Sequence, residues 1–166
     1  MNSIINYLEN LSFFESADVI MCYASTSTEA DTTLLINNLI SCKKKVVLPV
    51  ILKDYQMDFY LISSFENLKT GKFGIKAPLA DTNNLFIPTR SIVQPQIIIV
   101  PGVEFDISRN RKGHGCGYYD RYFHRYGKET FYKIGFARDS QIVNELEKKP
   151  HDVAMDVIVT DSGKII

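Results

Sequence analysis

The run Gln96-Ile-Ile-Ile-Val100 places four successive β-branched apolar residues behind one polar residue and has no polar face. A strand with one side in water alternates polar and apolar residues, whereas an unbroken apolar run belongs inside a sheet covered on both sides. The pattern therefore predicts a central strand over 96–100. Working outward, Val19–Tyr23, Lys45–Ile51, Asp58–Ser63, Phe131–Ala137 and Val157–Thr160 read as further strands. Helical patterns occupy Met1–Ser12 (Ile4, Ile5, Leu8, Leu11), Gly117–Tyr126 and, with helical potential only, Gln141–Glu147. Thr28-x-x-Asp31 has the form of a capping box and is expected to start another helix, with Leu34, Leu35 and Leu39 on one face. Residues 64–91 are expected to be irregular, broken by Gly71, Gly74, Pro78 and Pro88. Strands alternating with helices imply an α/β three-layer sandwich with a largely parallel sheet. Ligands of such sheets bind beyond the carboxyl ends of the strands, where the segment between Val100 and Gly117 lies.

The 166 residues fit one domain over 1–166. The 19 bases and 19 acids give zero net charge, which argues against a nucleic-acid-coating protein. The balance is uneven: Met1–Cys42 holds five acids and no Lys or Arg, leaving 14 acids and 19 bases for the rest. Three cysteines (Cys22, Cys42, Cys116) cannot all pair, which points to a reducing cytoplasm. His114-Gly-Cys116 lacks a second ligand pair at a spacing that would suit zinc. With no secretion-like start and no apolar run near the ~20 residues that span a bilayer, no membrane partner is expected. A monomer is the default for a neutral chain of this size.

Pro101-Gly-Val-Glu-Phe-Asp-Ile-Ser-Arg-Asn-Arg-Lys-Gly-His-Gly-Cys-Gly-Tyr-Tyr-Asp-Arg121 concentrates the chemistry. Gly113, Gly115 and Gly117 alternate just before a helix, so backbone N–H groups can approach an anion at a positive helix terminus. Arg109, Arg111, Lys112, Arg121 and Arg125 face only Asp120 over 109–125, a combination suited to polyphosphate. It is neither GxxxxGK[ST] nor GxGxxG. On these residues alone, a solvated surface loop is an equal alternative.

Arg111-Lys-Gly-His-Gly-Cys-Gly-Tyr-Tyr-Asp-Arg121, preceded by Pro101-Gly-x-x-Phe-Asp106, resembles the signature of the 5-formyltetrahydrofolate cyclo-ligase (methenyltetrahydrofolate synthetase) family. Tyr23-x-Ser25-x-x-x-Glu29-x-Asp31-Thr32, Lys45–Pro49, Gly71-x-Phe-Gly-Ile75 with Pro78, Ile134-Gly-Phe with Gln141, and Pro150-x-Asp152-x-x-x-Asp156 resemble further segments in the same order. The resemblance implies an α/β sandwich of the ribose-5-phosphate isomerase and CoA-transferase group. It also implies conversion of 5-formyltetrahydrofolate to 5,10-methenyltetrahydrofolate with ATP and Mg²⁺, releasing ADP and phosphate. ATP is expected to phosphorylate the formamide oxygen, after which N10 of the reduced formylfolate closes the ring.

The same resemblance implies the roles. Arg111, Lys112, Gly113, His114, Gly115, Cys116, Gly117, Tyr118 and Tyr119 correspond to the ATP loop, with Arg111 and Tyr118 at the reacting centre. Glu29, His114 and Tyr118 correspond to folate contacts. Asp120 and Asp152 correspond to Mg²⁺ carboxylates, with Asp156 next in line. The residues also permit plainer readings. Each Asp could be a cap or surface ion pair, Glu29 a first-turn helix acid, and Tyr118, Tyr119, Tyr122, Phe123 and Tyr126 a core stripe.

The chain departs from the family pattern in three places. The N-terminal helical segment that carries a Lys and an Arg reads as shortened. Cys116 stands where Lys or Gly is common, and Ala77 replaces an acid. These departures define the alternative: a catalytically impaired relative that binds folate or nucleotide.

Overall fold

In the computed structural model, which describes residues 3–166, the chain runs α1 (Ser3–Glu9), β1 (Val19–Met21), α2 (Thr33–Ser41), β2 (Lys45–Ile51), β3 (Met57–Ile62), β4 (Lys69–Thr70), β5 (Lys76–Ala77), β6 (Leu85–Phe86), β7 (Gln96–Val100), β8 (Glu104–Asp106), β9 (Arg111–Lys112), α3 (Tyr118–Tyr126), β10 (Phe131–Ala137), β11 (Ile142–Val143) and β12 (Val157–Thr160). Seven strands form the main sheet in the order β12-β10-β7-β1-β2-β3-β6. The first five run parallel, and β3 and β6 add antiparallel pairs at one edge. The expected helix of Met1–Ser12 is present from Ser3 to Glu9, and its first two residues lie outside the described ones.

β7 is an interior strand, flanked by β10 and β1, and Ile97 to Val100 are fully buried. Their side chains divide between the two layers. Ile97 and Ile99 join a core with Ile4 and Leu8 of α1 and Leu35, Ile36 and Leu39 of α2. Ile98 and Val100 join a second core with Phe105 and with Tyr119, Tyr122 and Phe123 of α3. This two-sided burial is the physical reason the run lacks a polar face, at roughly 1.5–3 kcal/mol per buried side chain.

Two expected helices are corrected. The helix placed at Thr28 begins at Thr33. Glu29 Oε2 instead accepts from the Thr26 N–H at 2.8 Å, and Asp31 Oδ1 from the Thr33 N–H at 2.9 Å. Thr32 Oγ1 donates to the Tyr23 carbonyl at 2.6 Å, so residues 23–32 form a loop strapped over the end of β1. Short side chains bonding to nearby backbone compete with helix in this way. Gln141–Glu147 is not helical either: Asp139–Gln141 is one 3₁₀ turn, followed by β11 beside β8 in a small β11-β8-β9 sheet. Gln141 Nε2 donates to the Gly102 carbonyl at 2.6 Å and the Leu146 N–H donates to Asp106 Oδ2 at 3.0 Å. Those tertiary bonds override local propensity. Residues 64–91 are mostly irregular, though β4 and β5 pair as a hairpin and β6 joins the main sheet.

Candidate functional site

A cavity of about 960 Å³ opens at the carboxyl edge of the sheet. Its wall combines the Tyr23–Glu29 loop after β1, the end of β2 and the start of β3 (Pro49 to Ile51 and Met57), the β4-β5 hairpin, Pro101 and Gly102 after β7, and the segment from Arg111 to Asp120. Glu29, Arg111, Lys112, Gly113, His114, Gly115, Cys116, Gly117, Tyr118, Tyr119, Asp120 and Asp152 all border it, so the folding brings every primary site residue of the sequence reading to one place. Asp156 does not belong there. Its carboxylate lies 2.8 Å from Lys133 Nζ and accepts from the Lys133 N–H at 2.7 Å, a structural pair at the start of β10.

Arg111 anchors the site from beneath. Its side chain is 6% exposed, donates to the Pro101 carbonyl at 3.2 Å, and pairs with Asp120 Oδ2 at 3.2 Å. The guanidinium lies 5.4 Å from the centre of the Tyr119 ring, and its Nε has no acceptor within the protein. Asp120 is tied a second time, with Oδ1 accepting the Val153 N–H at 2.9 Å. Gly113 leaves room for this packing: a Cβ there would stand 2.9 Å from Arg111 Nη1, so the guanidinium would have to shift. Farther along, Gly117 caps α3 with a left-handed φ of 69°, which removes the steric cost a side chain would incur.

Among the described residues, the N–H groups of Gly113, His114, Gly115, Cys116 and Gly117 find no acceptor in the protein. Five consecutive free donors lead into the first turn of a nine-residue helix, whose own N–H groups have no intrahelical partner. This is an anion-receptive surface. His114, 67% exposed, reaches across with Nε2 3.9 Å from Glu29 Oε1, so the two expected folate contacts face each other over the cavity. Glu29 is therefore not a helix first-turn acid but a largely buried carboxylate in the loop after β1.

The aromatic stripe of α3 is sorted by burial. Tyr119, Tyr122 and Phe123 are core residues, whereas Tyr118 is half-buried at the cavity rim. Burial raises the Tyr119 phenol far above its ordinary range, and the Glu29 carboxylate adds to the rise. Tyr119 therefore stays neutral, with its hydroxyl unpartnered in the floor.

Two residues were given no individual role from the sequence. Asp106 is fully buried and accepts from the N–H groups of Ser108, Asn110 and Leu146 and from Asn110 Nδ2. Burial alone would raise its pKa, but these bonds outweigh it and hold the carboxyl below its usual value. It fixes the 104–112 segment that carries Arg111. Phe73, 66% exposed and at a left-handed φ of 59°, stands on the cavity wall beside Lys69 and Lys72. The signal for both was present in the Phe-Asp106 and Gly71-x-Phe73-Gly matches. Asp152, expected beside Asp120 as a Mg²⁺ carboxylate, is on the wall and accepts from the Lys149 N–H at 2.8 Å.

Fold and site together define an α/β protein with an anion-receptive glycine loop on one wall of a large cavity at the sheet's carboxyl edge. The chain belongs to the 5-formyltetrahydrofolate cyclo-ligase family, whose sequence profile matches residues 2–161. It is 30% identical over 161 residues to the 5-formyltetrahydrofolate cyclo-ligase of Haemophilus influenzae, covering 95% of this chain and 83% of that one. It is 28% identical over 158 residues to the Mycolicibacterium smegmatis 5-formyltetrahydrofolate cyclo-ligase, covering 91% and 77%. The solved structure of Aquifex aeolicus 5,10-methenyltetrahydrofolate synthetase superposes with a TM-score of 0.76 at 29% identity, over 98% of this chain and 78% of that one.

Proposed function

We propose that this chain converts 5-formyltetrahydrofolate to 5,10-methenyltetrahydrofolate, coupled to conversion of ATP to ADP and phosphate. The observation that carries this reading is the run of unpartnered N–H groups from Gly113 to Gly117 on the wall of a cavity of about 960 Å³. The phosphates lie along that loop, at the N-terminus of α3, with Lys112, exposed and paired with Glu104 at 3.1 Å, as a nearby cation. Buried Arg111, paired with Asp120, holds its guanidinium beneath them, with a buried Nε that has no acceptor in the protein. Preorganised donors of this kind stabilise charge as it shifts between oxygens without reorganising at the moment of reaction.

The reduced formylfolate occupies the remainder of the cavity. Glu29 and His114 orient its polar ring, and Tyr118 closes the rim beside the reacting atoms. Phe73 offers an apolar face from the opposite wall. Holding N10 against the activated formyl carbon is chiefly a problem of alignment, which a cavity walled by several loops addresses.

Mg²⁺ fits the donor chemistry in one form only. Among the described residues no group of three or more His, Cys, Asp or Glu side chains converges as a metal cage. Asp120 and Asp152 each keep lone pairs free beyond the bonds they accept, and Mg²⁺ is commonly held by one or two carboxylates together with phosphates and water. Bound there, it supplies charge neutralisation of the phosphates.

The test is formation of methenyltetrahydrofolate, followed by its near-ultraviolet absorbance, with ATP and Mg²⁺. Product that requires both supports the proposal. Binding of ATP without product would favour the impaired-relative alternative.

A further inference from the structure

The glycine loop is gripped from outside the cavity as well as from beneath. Arg121, one turn into α3, donates from Nη1 to the carbonyl oxygen of Cys116. A Cβ on Gly117 would stand 3.1 Å from the same nitrogen, so the guanidinium lies against the loop backbone. The other face of the group is covered: its carbon lies 5.3 Å from the centre of the Tyr55 ring. Tyr55 in turn leans on Tyr118, with 6.3 Å between ring centres. Asp54 and Tyr55 both hold left-handed φ values, 56° and 57°, in the turn between β2 and β3. They are the two central residues of a hairpin turn closed by the Gln56 N–H donating to the Lys53 carbonyl at 3.1 Å, a conformation that fits the twist of the antiparallel pair β2-β3.

Neither Tyr55 nor Arg121 borders the cavity, so neither is placed to touch a ligand in it. Among the described residues Arg121 also has no carboxylate partner. Its partners are one aromatic face and one loop carbonyl. The peptide bond is planar and trans, so the Cys116 C=O and the Gly117 N–H point in opposite directions. Drawing that carbonyl toward Arg121 aims the Gly117 N–H at the other side of the loop.

We propose that Arg121 is a positioning residue for the phosphate-binding loop and that Tyr55 acts only through it. The Tyr55–Arg121 clamp sets the Cys116–Gly117 peptide so that its N–H remains available to a phosphate oxygen. The proposal rests on the phosphate reading of the loop given above.

The test is a double-mutant cycle read as the dissociation constant of MgATP by calorimetry on the full chain. Arg121→Ala should weaken MgATP by about tenfold, the scale of one lost oriented donor. Tyr55→Ala should weaken it by about threefold, and Tyr55→Phe, which keeps the ring, should leave it unchanged. The double variant should bind no more weakly than Arg121→Ala alone. Arg121→Gln, which keeps the donor without the cation, carries the same cycle if the alanine variant does not fold; there Tyr55→Ala should have no effect.

An unchanged dissociation constant in Arg121→Ala, with only a lower melting temperature, overturns the proposal. So does a Tyr55→Ala effect that persists in either Arg121 background. If the unmodified protein fails to bind MgATP, the phosphate reading falls and the clamp with it. Binding that responds as expected without folate turnover upholds the clamp alone.

Discussion

The two walls of the cavity are built on opposite plans. The wall from Arg111 to Asp120 is fixed by a guanidinium only 6% exposed, paired with a carboxylate 14% exposed, and by backbone bonds to Pro101 and Val153. The wall formed by β4 and β5 carries no fully buried residue: Lys69 to Gly74 are all exposed. The rigid wall suits a charged group that must be met by prealigned donors, and the open wall suits a larger substrate that enters and leaves. Local stability is expected to differ accordingly, since segments with few buried contacts open most readily.

Breaking the rigid wall should have the largest effect. Arg111→Ala leaves Asp120 as an uncompensated buried charge and should cost about 3–5 kcal/mol, measured by denaturant unfolding, along with turnover. A loss of the same order, roughly 2–5 kcal/mol, is expected for Ile98→Ala in the core beneath that wall, but with the cavity chemistry left in place. Gly113→Ala should push Arg111 Nη1 from its place and weaken MgATP by about tenfold, a loss of roughly 1.4 kcal/mol in binding.

On the open wall, Phe73→Ala should leave unfolding free energy within about 0.5 kcal/mol, as for other exposed positions. Its expected effect is a severalfold rise in KM for the formylfolate with KM for ATP unchanged. A stability loss comparable to that of Arg111→Ala would erase the distinction between the walls.

Acid titration sharpens the same contrast. Asp31 and Asp106 titrate below their ordinary values when folded, held by backbone donors that prefer the carboxylate. A depressed folded pKa contributes stability that is complete above the unfolded value, about 3.9 for Asp, and is lost as pH falls through the folded one. Unfolding free energy should therefore be flat near neutrality and decline below about pH 4, and Asp106→Asn should reduce that decline.

Much of this was legible in the sequence, for identifiable reasons. The central strand could be read because Ile97 to Val100 are buried on both faces, and burial on both faces leaves no polar alternation. The glycine loop could be read from its alternation of Gly113, Gly115 and Gly117, of which Gly115 and Gly117 hold positive φ and Gly113 lies against the Arg111 guanidinium. The loop at 23–32 could not, because the Thr28–Asp31 pattern is equally good at capping a helix and at binding loop backbone. Tertiary bonds from Thr32 and Glu29 decided between them. Gln141–Glu147 failed for a similar reason: the partners of Gln141 and Leu146 lie about 40 residues away in sequence. Asp156 was a metal candidate through the family resemblance, and only the position of Lys133 showed its structural role.

The most direct test of the central claim is formation of methenyltetrahydrofolate from 5-formyltetrahydrofolate by the purified full chain, with ATP and Mg²⁺ each supplied or withheld. The account predicts absorbance growth only when both are present, with one ADP released per product. A folded protein that binds MgATP yet forms no product under any of these conditions would contradict it.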